Sequence, residues 1–599
     1  MHRAAARALR TTHATTSARR YLASNRLPTS RIPLTQIATQ NHCSLHTSAK
    51  RPFTGVVNEP LRSSMFFRRG PVALVSSIVV GYGAWYSYNS SDASGGSSSV
   101  ARGFATNTPT VDTDAAAPTR TVLVVGADEL RQGTIVGDGP ISKYINGDER
   151  RIVEMLTPEQ ATDKLRKLEQ SYFVERGQGV MRYDLVQLPS NDPIEDDHAE
   201  KIVQASNLAG QKNDWMFWGV FDGHSGWTTS ATLRENLIDY VATELNATYK
   251  KAGDVTPSDD IIRDAIKTGF IRLDDEIVNK SVEKVFKSSS KAVAAELLQP
   301  ALSGSCALLS FFDSKTNTLR TAVTGDSRAV LGRRNDKGKW VATALSEDQT
   351  GGNSKEAARL RKEHPGEDYV VRNGRVLGGL EPSRAFGDAV YKWSRATADK
   401  LKESFFGRTP SPLLKTPPYV TAEPEITTMK VHPEHGDFLV LATDGLWEML
   451  TNEEVVGLVG QWIEWQAANS GAGPSQLESA WNKMFGSKSP PLPVEQTEVN
   501  RNAGGQKTPI RVQQWGINPE AKDRFTVRDK NVATHLVRNA LGGNNDEQVC
   551  ALLTLPSPFS RRYRDDLTVQ VIFFGDGEKT GEVTLNSEAS ASQAIKPKL

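Results

Sequence analysis

Four apolar runs of strand length in this chain each have an aspartate at one end. Three runs end on the acid and the fourth begins beside it: 215–221 with Asp222, 318–324 with Asp326, 438–443 with Asp444, and 568–574 with Asp565. In an antiparallel sheet the ends of some strands lie beside the beginnings of others. An Asp-Gly pair after a strand is usually only a turn. Four such coincidences are improbable as ordinary turns, so the sequence predicts that these carboxylates meet at one rim.

Carboxylates that converge without His or Cys ligands repel one another unless a cation neutralises them. Oxygen ligands suit Mg²⁺ or Mn²⁺ better than zinc. Two such ions bridged by one carboxylate would lower the pKa of a shared water and hold a phosphoryl group. The predicted chemistry is therefore hydrolysis of a phosphate ester.

Two residues beside Asp222 add to this candidate site. Gly223 allows a tight turn and exposes its carbonyl group, and His224 could donate a proton within the same pocket. An acid cluster at 195–197 precedes the first run, and such a cluster is by default a solvated turn.

Helices are predicted on both sides of the first run. Thr157 is a good N-cap, Pro158 suits the first helical position and Gln160 can close a capping box, so a helix should begin at Pro158. An amphipathic helix is predicted over about 227–245. A second one has five apolar residues on one face: Ile262, Ile266, Phe270, Leu273 and Ile277.

The first 120 residues differ in composition from the rest. Residues 1–58 contain no Asp or Glu among many Arg, Ser and Thr residues, which is typical of a mitochondrial presequence; a disordered basic arm is the alternative. Residues 71–88 are uncharged, largely apolar and just long enough to cross a bilayer, and a buried core helix is the alternative. Arginines precede this segment, so the charge rule would hold the later residues in the intermembrane space. Residues 89–120 resemble a flexible tether.

Composition and cysteine spacing exclude several classes of protein. The formal net charge is +2 and the basic excess lies at the N-terminus, so nothing suggests nucleic-acid binding. Three cysteines without a C-x-x-C pair disfavour a disulfide framework or structural zinc. A cysteine phosphatase needs an arginine six positions after its cysteine, and these positions hold Ala49, Phe312 and Pro556.

Five ordered motifs resemble those of the protein phosphatase 2C family, which are Mg²⁺/Mn²⁺-dependent serine/threonine phosphatases. They lie at 222–226, 325–329, 378–388, 442–447 and 565–568. Within the family, the chain is most similar to the catalytic subunits of mitochondrial pyruvate dehydrogenase phosphatases and their fungal relatives. That similarity rests on 156–160, 188–196, 363–365 and 531–536.

The resemblance implies an α+β fold in which a central antiparallel β-sandwich is flanked by helices on both sides. The catalytic domain is expected over 121–578, with an insertion at about 471–507 and a disordered tail at 579–599. The implied substrate is a phosphoprotein, the pyruvate dehydrogenase E1α subunit. That substrate belongs to the matrix. Residues 71–88 would instead tether the catalytic domain to the inner membrane so that it faces the intermembrane space.

The resemblance also implies a set of metal ligands for two core ions and a weaker third. By motif, Asp222 would bridge two ions, Asp444 and Asp565 would complete one site, and Glu195 with the Gly223 carbonyl would hold the other. Asp326 together with Asp444 matches the weaker third site.

Four further residues receive implied roles. Asp196 aligns with an acid that orients metal-bound water. His224 matches the histidine proposed to protonate the leaving serine or threonine oxygen. Asp388 and Arg384 belong to a family motif and are interpreted as structural.

The chain departs from the family pattern at three places. Asn191 stands where many members have an arginine that grips the substrate phosphate, Gln349 follows Asp348 where a histidine is usual, and Asp566 replaces an asparagine. A catalytically silent binding module of the same shape is the alternative, and it is disfavoured because the metal carboxylates are all present.

Overall fold

The computed structural model describes residues 122–125, 141–145, 150–206, 212–253, 255–469, 492–495, 509–515, 517–519, 521 and 523–591. The predicted presequence at 1–58, the membrane segment at 71–88 and the tether at 89–120 all lie outside these residues. So does the predicted insertion at 471–507, apart from 492–495. Within the described ranges, no helix combines the length and apolar character needed to cross a bilayer.

The described elements alternate between short strands and helices. The strands are β1 Val122–Val125, β2 Ile141–Ile145, β3 Arg150–Glu154, β4 Gln170–Val174, β5 Val180–Leu188, β6 Asp197–Ser206, β7 Lys212–Phe221, β8 Gly223–His224, β9 Gly304–Ser305, β10 Ala307–Asp313, β11 Thr318–Thr324, β12 Arg328–Arg334, β13 Trp340–Ala344, β14 Val371–Arg372, β15 Arg375–Val376, β16 Phe386–Gly387, β17 Glu425–Lys430, β18 Phe438–Ala442, β19 Leu567–Phe574 and β20 Val583–Leu585. The α-helices are α1 Pro158–Arg166, α2 Thr228–Ala252, α3 Asp259–Asp275, α4 Ser281–Ser288, α5 Lys291–Leu297, α6 Gln299–Leu302, α7 Ser354–Glu363, α8 Arg395–Ser404, α9 Asp444–Trp447, α10 Asn452–Asn469, α11 Ile510–Trp515, α12 Val532–Leu541 and α13 Asp546–Thr554.

Two antiparallel sheets form the centre of the fold. One has the strand order β17-β11-β10-β7-β6 and the other the order β13-β12-β18-β19-β5-β4-β20. Their inner faces share one hydrophobic cluster, in which Trp218 of β7, Leu308 of β10, Leu441 of β18 and Ile572 of β19 are buried. The two sheets therefore pack face to face as a sandwich.

The period of two along each strand assigns side chains to the two faces of a sheet. In β7, Met216, Trp218 and Val220 point into the sandwich, whereas Phe217 and Phe221 join an outer cluster. A strand buried on both faces reads as a continuous apolar run, which explains the sequence at 215–221.

Helices cover both outer faces of the sandwich. α2 and α3 pack on the sheet that contains β7, with residues such as Leu237 and Phe270 in the core. α1, α10, α12 and α13 cover the other sheet through residues such as Val459 and Leu536. This arrangement confirms the predicted α+β class with an antiparallel sandwich between helical layers.

The helix predictions near the start of the domain are confirmed. Thr157 caps α1, its hydroxyl accepts from the Gln160 N–H, and the Gln160 side chain accepts from the Thr157 N–H. α2 extends further than predicted, from Thr228 to Ala252. The predicted apolar face of α3 is buried, although Ile277 lies just beyond the helix in a π-helical turn at Glu276–Lys280.

The prediction of a disordered tail from residue 579 is wrong as far as residue 591. β20 pairs with β4 at the edge of the larger sheet, and Ala589 is buried. The Ala591 N–H also donates to the Glu169 carbonyl at 3.0 Å. Because β4 would otherwise be an open edge, pairing with the C-terminal strand protects it.

The antiparallel order brings the aspartate-bearing strand ends to one rim. β7 and β11 both pair antiparallel with β10, so they run in the same direction and end on the same side. In the facing sheet, the end of β18 lies beside the start of β19, and the Thr443 N–H donates to the Thr568 carbonyl at 3.1 Å. β6 begins opposite the end of β7, which adds the 195–197 acids to the same rim.

Candidate functional site

Three carboxylates converge at the rim of the sandwich. One oxygen each from Asp222, Asp326 and Asp444 lie within 4.8 Å of one another. The Asp444 N–H also points at Asp222 Oδ2, at 3.4 Å. These are three of the four strand-end acids predicted to meet.

The charges in this cluster are poorly compensated by the protein alone. Burial raises the pKa of Asp222 well above its usual value, and the neighbouring charges of Asp444, Asp196 and Asp326 raise it further. Oxygen donors in a crowded, partly buried anionic cluster fit a hard divalent cation, which would remove this repulsion. The donor set therefore suits Mg²⁺ or Mn²⁺.

Asp196 is close enough to the cluster for its charge to act on Asp222, and it is almost fully buried. One of its oxygens, Oδ2, accepts hydrogen bonds from the hydroxyls of Thr443 at 2.9 Å and Thr568 at 2.8 Å. These two residues flank the strand ends of β18 and β19. Burial raises the pKa of Asp196, and the charge of Asp566 adds to the effect. The default interpretation of 195–197 as a solvated turn is therefore wrong for Asp196.

Glu195 and Gly223 come together through a close backbone approach. A Cβ atom at position 223 would lie 2.0 Å from the Glu195 carbonyl oxygen, which only glycine avoids. Gly223 lies in β8 rather than in a turn, so the reason for this glycine is space and not the tight turn that the sequence suggested. Ser230 donates to the same Glu195 carbonyl and holds the segment against α2.

Asp566 organises the loop that carries Glu195. Its carboxylate accepts from the backbone N–H groups of Ser190, Asn191 and Glu195, and from the Asn191 side-chain amide at 3.0 Å. The Asn191 amide also donates to Glu195 Oε2 at 3.3 Å. The acid at position 566 thus accepts four hydrogen bonds from one loop. The aspartate that departs from the family pattern therefore holds this loop in place.

Asp565 has a different surrounding from the three converging acids. Its carboxylate contacts the guanidinium of Arg561 and accepts from the Asp566 N–H at 2.7 Å. The charge of Arg561 acts on both Glu195 and Asp222, where it lowers their pKa values against the larger effect of burial. Arg561 is therefore a cation at the acidic rim, and the sequence analysis missed it.

A small three-stranded sheet brings His224 and Asp388 together. β9 lies between β8 and β16, so His224 of β8 faces the residue that follows Gly387. His224 Nε2 donates to Asp388 Oδ2 at 2.6 Å. Although burial alone would lower the pKa of His224, the Asp388 carboxylate raises it above its usual value.

Gly304 of β9 makes room for this pair. A Cβ atom there would lie 2.2 Å from both His224 Nε2 and Asp388 Oδ2. The Asp388 N–H donates to the Ser303 carbonyl at 2.8 Å, which fixes the carboxylate beside this glycine. Local sequence gives no sign of this arrangement, because its members are far apart along the chain.

Two other motif residues form buried ion pairs with neighbours. Arg384 pairs with Glu356 at 2.7 Å, consistent with its interpretation as structural. Arg328 pairs with Asp348 at 2.6 Å, and both side chains are about 2% exposed. Gln349 accepts from the Gly325 N–H at 2.8 Å, so this departure from the family pattern supports the turn before Asp326.

In the part of the chain that the structure describes, a second cluster could also hold a metal ion. His432, Glu434 and His435 lie at the turn between β17 and β18, and their ligand atoms are also within 4.8 Å of one another. Two imidazoles would favour a softer metal than the all-carboxylate cluster does.

Comparison with known proteins shows what the chain is similar to. The sequence model of the family described as protein phosphatase 2C matches residues 190–480. The chain is 44% identical over 468 residues to the mitochondrial pyruvate dehydrogenase (acetyl-transferring)-phosphatase 1 of Saccharomyces cerevisiae, which covers 75% of this chain and 78% of the yeast protein. It is 42% identical over 456 residues to a protein phosphatase 2C homolog of Schizosaccharomyces pombe, covering 76% and 93%. The human mitochondrial pyruvate dehydrogenase (acetyl-transferring)-phosphatase 1 is 31% identical over 491 residues, covering 70% and 83%.

Proposed function

The chain belongs to the protein phosphatase 2C family and is a protein serine/threonine phosphatase, and we propose that the acidic rim is its metal-dependent active site. The observation that carries the proposal is the convergence of the Asp222, Asp326 and Asp444 carboxylates. Asp222 would be a ligand for two core Mg²⁺ or Mn²⁺ ions, and Asp326 with Asp444 would hold a weaker third.

The remaining ligands come from the two loops that meet this cluster. Asp444 and Asp565 are proposed to complete one core site, and Glu195 with the Gly223 carbonyl the other. The loop around Asp566 positions Glu195 through its backbone and Asn191. When bound, such ions lower the pKa of a water and neutralise the charge of a phosphoryl group.

The protein's own groups supply the proton transfers. Asp196 is held in one orientation by the Thr443 and Thr568 hydroxyls, which suits it to accept a hydrogen bond from the attacking water. His224, whose pKa the Asp388 carboxylate raises, is proposed to donate a proton to the leaving serine or threonine oxygen. Hydrolysis in this arrangement needs no phosphorylated enzyme intermediate.

Direct assay tests this proposal. The purified protein should release phosphate from a phosphoserine peptide with Mg²⁺ or Mn²⁺ and lose that activity after thorough chelation. Undiminished turnover in excess chelator would contradict the metal mechanism. Absence of any turnover, with the metal bound, would favour the catalytically silent binding module.

For the substrate, we propose phosphorylated pyruvate dehydrogenase, through its E1α subunit. The support is the naming of relatives at 44% and 31% identity as phosphatases of pyruvate dehydrogenase. The decisive comparison is kcat/KM on phosphorylated pyruvate dehydrogenase against phosphocasein. A preference of less than about threefold would favour another mitochondrial phosphoprotein as substrate.

For the location, we propose the mitochondrion, on the composition of 1–58 and the names of the relatives. We propose in addition a tether to the inner membrane through 71–88. Protease protection of mitochondria, of mitoplasts and of detergent-lysed organelles, followed through a tag after Leu599, separates the cases. Digestion in mitoplasts would place the catalytic domain outside the matrix and argue against pyruvate dehydrogenase as substrate, whereas cytosolic recovery would refute the targeting.

A further inference from the structure

Arg561 is a cation in contact with the acidic rim. It lies on a 3₁₀ turn, Phe559–Arg562, and its guanidinium contacts the Asp565 carboxylate. Its side chain is 39% exposed, so it reaches solvent at the mouth of the site. Its charge is felt at Glu195 and Asp222, on the opposite loop and strand end.

The backbone at Arg561 is anchored to the loop that carries Glu195. The Ser560 hydroxyl donates to the Ser190 carbonyl at 2.6 Å, and the Ser190 hydroxyl donates to the Arg564 carbonyl at 2.8 Å. Asn191 directly follows Ser190, and Arg561 directly follows Ser560. The two positions are therefore neighbours in space although they are 370 residues apart.

Neither neighbouring group can offer a free cation to a substrate. Asn191 is uncharged, and its amide already bonds to Glu195 and Asp566. Arg564 is buried and donates to the Pro189 carbonyl at 2.7 Å. On this segment, the exposed guanidinium of Arg561 faces the rim, while Arg564 supports the loop behind it.

We infer that Arg561 binds the phosphoryl group of the substrate and supplies the positive charge that Asn191 lacks. This inference rests on the proposed function of the rim. A planar guanidinium can bind two phosphoryl oxygens at once, and an anchored backbone reduces the entropy lost on binding. The contact with Asp565 holds the side chain at the rim, where the substrate phosphate enters.

Titration of inorganic phosphate into the Mn²⁺-loaded protein tests the inference by calorimetry. Arg561→Ala and Arg561→Gln should each raise the Kd for phosphate by about tenfold, as expected for loss of a charge-assisted hydrogen bond. Arg561→Lys should recover part of the affinity. Arg562→Ala removes the same charge one residue away and should stay within about twofold of wild type.

Steady-state kinetics separates binding from positioning. Arg561→Ala should raise the KM for a phosphoserine peptide by about tenfold and change kcat by less than about threefold. Affinity for Mn²⁺ should be unchanged or tighter, because a cation beside Asp565 has been removed.

Unchanged phosphate affinity in Arg561→Ala would overturn the inference without touching the proposed function. If Mn²⁺ binding were weaker in the same variant, the role of Arg561 would be limited to positioning Asp565. Failure of the proposed function looks different, because wild-type protein would then lack Mn²⁺-dependent phosphatase activity, and the phosphate titration would still decide the role of Arg561.

Discussion

His224 Nε2 lies 2.6 Å from Asp388 Oδ2, although the two residues are 164 positions apart in the chain. Asp388 is buried and His224 partly buried at the edge of the acidic rim, and the imidazole is the donor in this bond. A carboxylate on one ring nitrogen orients the other nitrogen and stabilises the imidazolium form. Asp388, which the sequence suggested as structural, therefore contacts the proposed proton donor.

His224→Ala should slow hydrolysis of a phosphoserine peptide more than that of nitrophenyl phosphate. An alkoxide leaving group needs a proton, whereas nitrophenolate leaves readily without one. We expect a loss of about a hundredfold on the peptide and less than about tenfold on the aryl phosphate. Equal losses on both substrates would remove the general-acid role. Asp388→Asn should show the same bias in kcat with a smaller effect.

Gly304→Ala should impair catalysis, although the substitution adds no charge and removes no proposed metal ligand. The added methyl group would overlap both His224 and Asp388, and the pair must separate. kcat for the phosphopeptide should fall, with a stability loss of about 1–3 kcal/mol from overpacking. Gly352→Ala is the matched control, because its nearest neighbour would be Thr350 Oγ1 at 3.5 Å. Full activity in Gly304→Ala would contradict the proposed need for this contact.

Asp222→Asn should stabilise the metal-free protein while it abolishes activity. The substitution removes the charge of a partly buried carboxyl group whose pKa is raised by burial and by three neighbouring carboxylates. The thermal midpoint without metal should rise by about 2 °C, since about 1 kcal/mol of repulsion is relieved. Added Mg²⁺ should then give much less stabilisation than in wild type.

Asp444→Asn should show the same loss of activity. Removing a hydrogen-bond partner of a metal ligand typically lowers metal affinity or activity by about 10–100-fold. Removing the ligand itself should lower activity further. Circular dichroism should show an unchanged fold in both aspartate variants. Substantial Mg²⁺-dependent turnover in either one would refute the proposed ligand set.

Acid should weaken the fold through Glu356. Burial raises the pKa of this carboxyl group, but the guanidinium groups of Arg384 and Arg359 outweigh burial and hold it at about 2. A lowered folded-state pKa means that this stabilisation is present above the unfolded value near 4.5 and is lost as pH falls towards 2.

Glu356→Gln should therefore destabilise the protein near pH 7 by about 3 kcal/mol, because the buried Arg384 loses its buried carboxylate partner and keeps only the exposed carboxylate of Glu425. Denaturant unfolding at several pH values should show that the difference in free energy of unfolding between the variant and wild type becomes smaller below about pH 4.5. A difference in free energy of unfolding that does not change with pH would mean that the Glu356 charge does not contribute to stability.

The local parts of the structure could be predicted from the sequence. The capping box at Thr157 and the strand that ends before Asp222 depend on neighbours a few residues away, and such patterns are readable. Convergence of Asp222, Asp326 and Asp444 was also predictable, because antiparallel order constrains where strand ends lie.

The contacts that the sequence did not show are those between distant segments. Gly304 beside His224, Arg561 beside Asp565, and the strand at Val583–Leu585 each depend on which elements become neighbours in the fold. Periodicity assigns a residue to a face, but it does not name the partner on that face. Asp566 is a further example, because the motif at 565–568 does not indicate that its second acid holds a loop more than 370 residues earlier.

The position of β19 sets when the domain can be completed during synthesis. This strand, Leu567–Phe574, is among the last along the chain, yet it lies in the middle of its sheet between β18 and β5. A ribosome-bound chain lacks it at first, so β5 and β18 have no shared neighbour until residue 574 has emerged. Long-range pairing of this kind is slow and leaves strand edges open meanwhile. The larger sheet should thus remain incomplete until residue 574 is available, and folding of the domain should wait for this strand.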